Sequence, residues 1–281
     1  MAARRSPTVQ RRRLGIELRR MREQAGLTIE QVAKAIDCSD SKVSRIENGQ
    51  VSATPRDVRQ ILDLCGVGGE QREALVQVAT EARQKGWWQA YGDTLVVALV
   101  GLEAAATTIR TYELACVPGL LQTADYARTV IRTSRPDLHP KQVERWVGLR
   151  MARQGLLSQD DPPALFAVLD ESLLHRPVGG RGVMRDQLCH LAEAAALPTV
   201  TLQVLPFAAG EHAGMSGPFT IFGFADSADP DVVYLEHAKS DLYLESLEEI
   251  QRYILAFDRL RATALTPDDS VAFLATLASE L

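Results

Sequence analysis

The feature that most constrains this chain is the tight series of helix starts and stops in its first 85 residues. Over 11–25 the apolar residues Leu14, Leu18 and Met21 recur at helical spacing, and Gly26 supplies the stop. Thr28-Ile29-Glu30-Gln31 has the order of a capping box, in which Thr28 accepts from a backbone N–H three residues on while Gln31 reaches back. Ile29, Val32, Ala33 and Ile36 then line one face of a short second helix. Asp37-Cys38 breaks it, and Ser39 caps a third helix with Val43 and Ile46 inward. Asn48-Gly49 closes that helix, since both residues tolerate the left-handed conformation found after a helix end. Thr54-Pro55 opens a fourth helix whose apolar residues are Val58, Ile61, Leu62 and Leu64, and a fifth runs over about 70–85. So many short helices in so few residues predict an all-α domain of five helices over 10–85, with 1–9 as a basic mobile tail in which Ser6-Pro7 is a breaker.

Charge sets this segment apart from the rest. Residues 1–85 carry 16 Lys and Arg against 11 Asp and Glu, whereas the remaining residues carry 15 against 25. Eight arginines and one acid, Glu17, fall within the first 22 residues. A basic end on an acidic protein suits a polyanionic partner for that end alone; a solvated tail is the plain alternative. After Gly86-Trp87-Trp88 the texture changes. Helical stretches over 95–106, 123–133, 140–157 and 181–196 alternate with strand-like runs at 164–169, 199–205, 218–224 and 231–236, with 242–244 a weaker one. Two helices, 247–264 and 267–279, close the chain. Residues 86–281 are therefore expected to form one α+β domain. A length of 281 residues with 46% hydrophobic and 24% charged residues fits two globular domains and excludes a disordered or fibrous chain. The longest apolar run, at 95–102, falls well short of the roughly 20 residues that span a bilayer. Nothing at the basic start resembles a secretory leader, so a cytoplasmic location without membrane contact is expected, on the nucleoid when DNA is bound.

Two short helices joined by a three- or four-residue turn form a helix-turn-helix, whose second helix can enter the DNA major groove. With Val43 and Ile46 packed against Val32, Ala33 and Ile36, the outer residues of the third helix are Ser39, Asp40, Ser41, Lys42, Ser44 and Arg45. These are small or hydrogen-bonding side chains suited to base edges and phosphates. Here the chain resembles the XRE-type, λ-repressor-like regulators, whose recognition helix commonly ends in the Ile-Glu-Asn-Gly run found at residues 46–49. The resemblance implies operator binding by a homodimer on a near-palindromic site of double-stranded DNA. It makes Lys42 and Ser44 base or adjoining phosphate contacts, with Thr28, Ser39 and Arg45 on the phosphate side. Arg45 has the alternative of pairing with Glu47 or Glu17. Asp40 departs from the family pattern: it either accepts from a cytosine amino group or points away. Two further departures are Ile29, where the family often has Gln, and Asp37, where it often has Gly; Asp tolerates the left-handed region. Arg11, Arg12 and Arg13 are expected to hold the DNA backbone or reach a minor groove as an arm.

The second domain offers no catalytic signature. HExxH, GxSxG, the P-loop and GxGxxG are all missing, so no enzyme activity and no cofactor is expected. The adjacent pairs Glu211-His212 and Glu236-His237 would point to opposite faces of a strand, and Cys38, Cys65, Cys116 and Cys189 are widely spaced, so no metal site is expected. The glycine-rich 177–182 follows a short helix and lacks the P-loop lysine, which favours a turn over a phosphate cradle. Trp87, Trp88 and Tyr91 at the junction, and His212 and Met215 in the loop over 210–219, are candidate effector or partner contacts; plain packing and an ordinary strand connection are their alternatives. The runs Val117-Pro118-Gly119-Leu120-Leu121-Gln122-Thr123, Arg150-Met151-Ala152-Arg153-Gln154, Met184-Arg185-Asp186-Gln187-Leu188 and Gly210-Glu211-His212-Ala213-Gly214 carry a second resemblance. They are similar to the domain of unknown function found behind XRE-type heads in actinobacteria, called antitoxin-like after the Scr type of toxin–antitoxin-like systems. That resemblance implies a transcriptional regulator, often a repressor, encoded beside a small partner protein. An interaction protein that sequesters such a partner, with DNA binding for autoregulation, is the alternative.

Overall fold

Helix caps set the boundaries throughout. The computed structural model describes residues 6–83, 94–226, 229–236 and 241–281. The chain divides into two compact units, Met1–Ala105 with Asp226–Asp229 and Ala106–Ala225 with Pro230–Leu281.

The first unit begins with α1 (Pro7–Gln24), α2 (Ile29–Ala35), α3 (Asp40–Glu47), α4 (Pro55–Leu64) and α5 (Gly69–Glu81). Ser6 is the N-cap of α1, accepting from Thr8 N at 3.3 Å, and Pro7 takes the first helical position. Ser6-Pro7 is thus a helix start rather than a breaker, and Thr8 and Val9 are buried in α1 rather than part of a tail. Leu14, Leu18, Met21, Val32, Ala33, Ile36, Val43, Ile46, Val58, Ile61 and Leu62 form one core, joined by Leu75, Val76 and Ala79 of α5. Leu64, the last apolar residue of α4, is 41% exposed. Gly15 brings α1 directly onto the end of α3, since a Cβ there would lie 2.5 Å from the carbonyl oxygens of Ile46 and Glu47. A sixth helix, α6 (Thr94–Ala105), belongs to this unit by its packing against α1, where Gly101 meets Thr8.

The second unit holds β1 (Thr108–Glu113), β2 (Ala164–Asp170), β3 (Val200–Leu205), β4 (Phe219–Gly223), β5 (Val232–Leu235) and β6 (Leu242–Leu244). Among the described residues they form one sheet in the order β3-β2-β1-β4-β5-β6. β1, β2 and β3 are parallel neighbours, and β4, β5 and β6 add antiparallel. The parallel steps need crossovers, supplied by α7 (Ala124–Ser134) with α8 (Pro140–Gln154), and by α9 (Glu171–His175) with α10 (Arg181–Ala194). The expected class, an all-α head followed by a mixed domain of helices and strands, is the one observed.

The central strand β1 has no counterpart in the sequence reading. It carries Thr111 and Glu113 on one face, so the alternation of apolar and polar residues that marks a half-buried strand is hidden. Thr111 instead pairs with Thr220 of β4, their hydroxyl oxygens 3.0 Å apart. On the opposite face Tyr112, Val168, Leu205, Phe219, Ile221 and Val233 pack under Ile250, Phe257 and Leu260 of α11 (Leu247–Thr263). α12 (Pro267–Ser279) runs along β3 and closes that sheet edge: Leu265 N donates to Val204 O, and Val204 N donates to Ser270 Oγ, both at 2.9 Å.

Candidate nucleic-acid interface

α3 is held at both of its ends. Thr28 and Gln31 form the capping box of α2, with Gln31 N donating to Thr28 Oγ1 at 3.2 Å and Thr28 N donating to Gln31 Oε1 at 2.8 Å. Asp37 has φ +52°, the only positive value outside glycine among the described residues, and so makes the turn that glycine often makes. Ser39 then caps α3 by accepting from Lys42 N at 3.3 Å. At the far end Gly49 has φ +65° and lies against the Arg12 backbone, so a side chain there would be both strained and obstructed.

A buried ion pair holds α3 on α1. Arg22 Nε donates to Glu47 Oε1 at 2.6 Å and its Nη2 donates to Glu47 Oε2 at 2.9 Å, while Nη1 donates to Leu27 O at 3.0 Å. Hydrogen bonding to Glu47 holds the Arg22 guanidinium above its ordinary pKa. Glu47 is therefore engaged by Arg22, and Glu17 by Arg20 at 2.7 Å. Neither takes up Arg45, and among the described residues no carboxylate pairs with it. Arg45 stays exposed, its Nε donating to the Ser41 carbonyl at 3.3 Å.

At about 100° per residue, the outward arc of α3 runs Asp40, Ser44, Asn48, Ser41, Arg45, Lys42. Val43, Ile46 and Glu47 fill the buried side. Ser41 and Asn48 sit at the centre of the arc and are exposed; Ser44 beside them is half-buried, its Oγ accepting from Asn48 Nδ2 at 3.5 Å. Asp40 and Lys42 lie at opposite margins. Lys42 does not project freely: its Nζ is 3.3 Å from Asp57 Oδ2 on α4. Asp57 had not been singled out in the sequence. The signal was available, because Thr54-x-x-Asp57 repeats the capping-box spacing that identified α2. Asn48, expected only as a helix closer, and Arg56 are exposed at the end of α3 and the start of α4.

The three consecutive arginines do not form an arm. The cap at Ser6 and the start at Pro7 place Arg11, Arg12 and Arg13 in the body of α1, all half-buried. Arg11 Nη2 donates to Thr8 Oγ1 at 3.2 Å, and Arg13 Nη1 lies 3.3 Å from Asp226 and 3.9 Å from Asp229. Reaching a minor groove as a flexible segment is excluded for these residues, because the helix fixes their backbone.

In the second unit three of the quoted runs, 117–123, 150–154 and 184–188, converge. Gln122 donates to Val117 O at 2.6 Å and accepts from Arg150 Nη1 at 2.8 Å, and Gln154 Nε2 donates to Gln122 O. Gln187 accepts from Thr123 N and donates to Leu121 O, each at 2.7 Å. These amides pin the turn 117–123 from two helices. Asp170, at the end of β2, accepts from Ser172 N at 2.9 Å and from Tyr112 Oη at 3.4 Å, and His212 Nε2 lies 3.8 Å away. His212 Nδ1 accepts from Gly214 N at 3.2 Å, so the candidate effector loop turns His212 inward while Met215 is 73% exposed. Trp87, Trp88, Tyr91 and His237 lie outside the described residues. At the end of β1, burial pushes the Glu113 carboxyl up to about 8; nearby Glu236 adds to the shift, and Thr111 and Arg150 oppose it. Gly179 and Gly180 have positive φ between α9 and α10, the geometry of a turn. Among the described residues no group of three or more His, Cys, Asp or Glu is placed to hold a metal ion, and no helix is long and apolar enough to cross a membrane.

Residues 13–75 match the family model described as a helix-turn-helix domain, and residues 96–276, more than half of the chain, match the domain of unknown function DUF5753. No curated protein and no solved structure matches the chain.

Proposed function

We propose that this chain, which belongs to the DUF5753 family and carries a helix-turn-helix head, is a sequence-specific transcriptional regulator. The observation that carries this reading is the outward arc of α3. Ser41, Asn48 and Arg45 are exposed on a helix whose opposite side is locked into the core by Val43, Ile46 and the Arg22–Glu47 pair. Small hydroxyl and amide side chains at the centre of an arc suit base edges, and a long cation on the flank suits phosphate.

In this reading Ser41 and Ser44 approach bases, Arg45 grips phosphate, and Ser39 and Thr28 present helix starts to the backbone. Both of those hydroxyls already accept from backbone N–H groups, so each has its hydrogen left to donate. Asp40 sits at the margin, where it contacts a base only if the helix tilts toward that side. One such helix covers a single half-site, so a homodimer reading two half-sites about 34 Å apart is the assembly proposed. Repression by occupying a promoter is the regulatory act proposed, with the DUF5753 domain receiving an effector or a small protein partner.

Fluorescence anisotropy with a selected duplex tests the assignment of roles. Ser44→Ala is expected to relax preference at one base pair by about 1–3 kcal/mol, whereas Arg45→Ala weakens all sequences alike and lowers the salt slope by about 1. Equal effects of Ser44→Ala on every sequence would remove the base-reading role from the arc.

A further inference from the structure

We propose that Asp57 is a positioning residue that withholds Lys42 from DNA, an inference that rests on the DNA-binding reading above. Asp57 is the third residue of α4 and is itself held from two directions. Its N–H donates to Thr54 Oγ1 at 3.0 Å and its Oδ2 accepts from Thr54 N at 3.3 Å. The carboxylate is therefore a fixed point, 8% exposed, and the flexible lysine comes to it. Lys42 sits at the margin of the α3 arc beside the buried Ile46, and its side chain is 38% exposed.

A lysine in this position could have added a phosphate contact. Paired with Asp57, it offers DNA little net charge, and it reaches a phosphate only by leaving a carboxylate that stays behind. Phosphate contacts add affinity for every sequence, while base contacts discriminate. Withholding one cation at the edge of the recognition helix therefore lowers non-specific affinity and leaves the central side chains to decide the site.

Asp57→Asn separates charge from capping, because the asparagine oxygen can still accept from Thr54 N. Anisotropy titrations of the full-length protein on a random-sequence duplex, from about 50 to 200 mM salt, measure the slope of log K against log salt. One added phosphate contact steepens that slope by about 0.9. The D57N variant is expected to show this steepening with several-fold tighter non-specific binding, and the Lys42→Met, Asp57→Asn double variant is expected to return to the wild-type slope. K42M alone, which leaves the α4 cap untouched, is expected to keep that slope. A D57N slope equal to or shallower than wild type overturns the assignment. So does a K42M slope shallower by about 0.9, since Lys42 would then already grip phosphate. A wild-type protein that binds no duplex at 50 mM salt overturns the DNA-binding reading itself, whereas a normal wild-type slope with an unaltered D57N overturns only the role of Asp57.

Discussion

The two units place their polar side chains in opposite ways. In the second unit four long amides, Gln122, Gln154, Gln187 and Gln203, donate to the protein's own backbone. Gln122 and Gln187 are 2% and 0% exposed, and with Gln154 they pin the turn 117–123, while Gln203 reaches Arg261 O at 3.2 Å and Leu265 O at 2.9 Å at the end of α11. In the first unit, by contrast, Ser41, Arg45 and Asn48 stand outward from a helix whose core side is closed. Buried polar groups that are fully partnered make a scaffold rigid, whereas exposed ones on a rigid support are available to another molecule. The contrast teaches that the Gln and Arg side chains of the second unit's runs hold a loop in place, whereas Ser41, Arg45 and Asn48 are left facing outward.

Removing a member of each arrangement sharpens the contrast. The largest effect is expected at the buried Arg22–Glu47 pair of the first unit. Glu47→Ala removes the two short carboxylate bonds of the buried Arg22, leaving it Leu27 O and the exposed Glu23 carboxylate at 3.4 Å, and should cost about 3–5 kcal/mol in chemical denaturation. A loss below about 1 kcal/mol would mean that the pair behaves as a surface contact. Next comes Gln187→Leu, which leaves Thr123 N and Leu121 O without their partner. A loss of about 2–3 kcal/mol is expected, with DNA affinity unchanged wherever the protein remains folded.

A third effect is pH-dependent. Glu113 has its carboxyl raised from 4.5 to about 8 in the folded chain. Between those values the unfolded chain has released the proton and the folded chain retains it, so stability falls as pH rises across that window and levels off above it. The slope is at most about 1.4 kcal/mol per pH unit. Urea midpoints measured at pH 5 and pH 8 should differ less for Glu113→Gln than for wild type. Equal differences would show that the strand end is solvated.

Smallest in stability is Arg45→Ala. On an exposed arc it should change stability by no more than about 0.5 kcal/mol while weakening DNA binding. A large loss of stability there would dissolve the contrast, because α3 would then be using its outer face for packing.

The first unit was largely legible in the sequence because its helices carry their own punctuation. Thr28, Ser39 and Thr54 cap as their spacing predicts, and Asp37 and Gly49 take left-handed turns. What could not be read there was long-range. Lys42 meets Asp57 fifteen residues away, and Gly15 meets the end of α3. Ser6-Pro7 fits a breaker and a helix start equally well until Thr8 and Val9 are seen to be buried. In the second unit the apolar strands β2 and β3 were visible, but β1 was hidden by the polar face that Thr111 shares with Thr220. The Gln122–Arg150–Gln154–Gln187 cluster was visible as wording without a role, since only the fold brings those runs to one turn.

Selection of bound duplexes from fragmented genomic DNA by the full-length protein, at about 150 mM salt to suppress non-specific binding, tests the central claim most directly. The account predicts one recurrent site with two-fold related halves about 34 Å apart, lost from the Ser41→Ala, Ser44→Ala double variant while weak, salt-sensitive binding persists. Recovery of fragments without a shared site, or the same site recovered by the double variant, would contradict it.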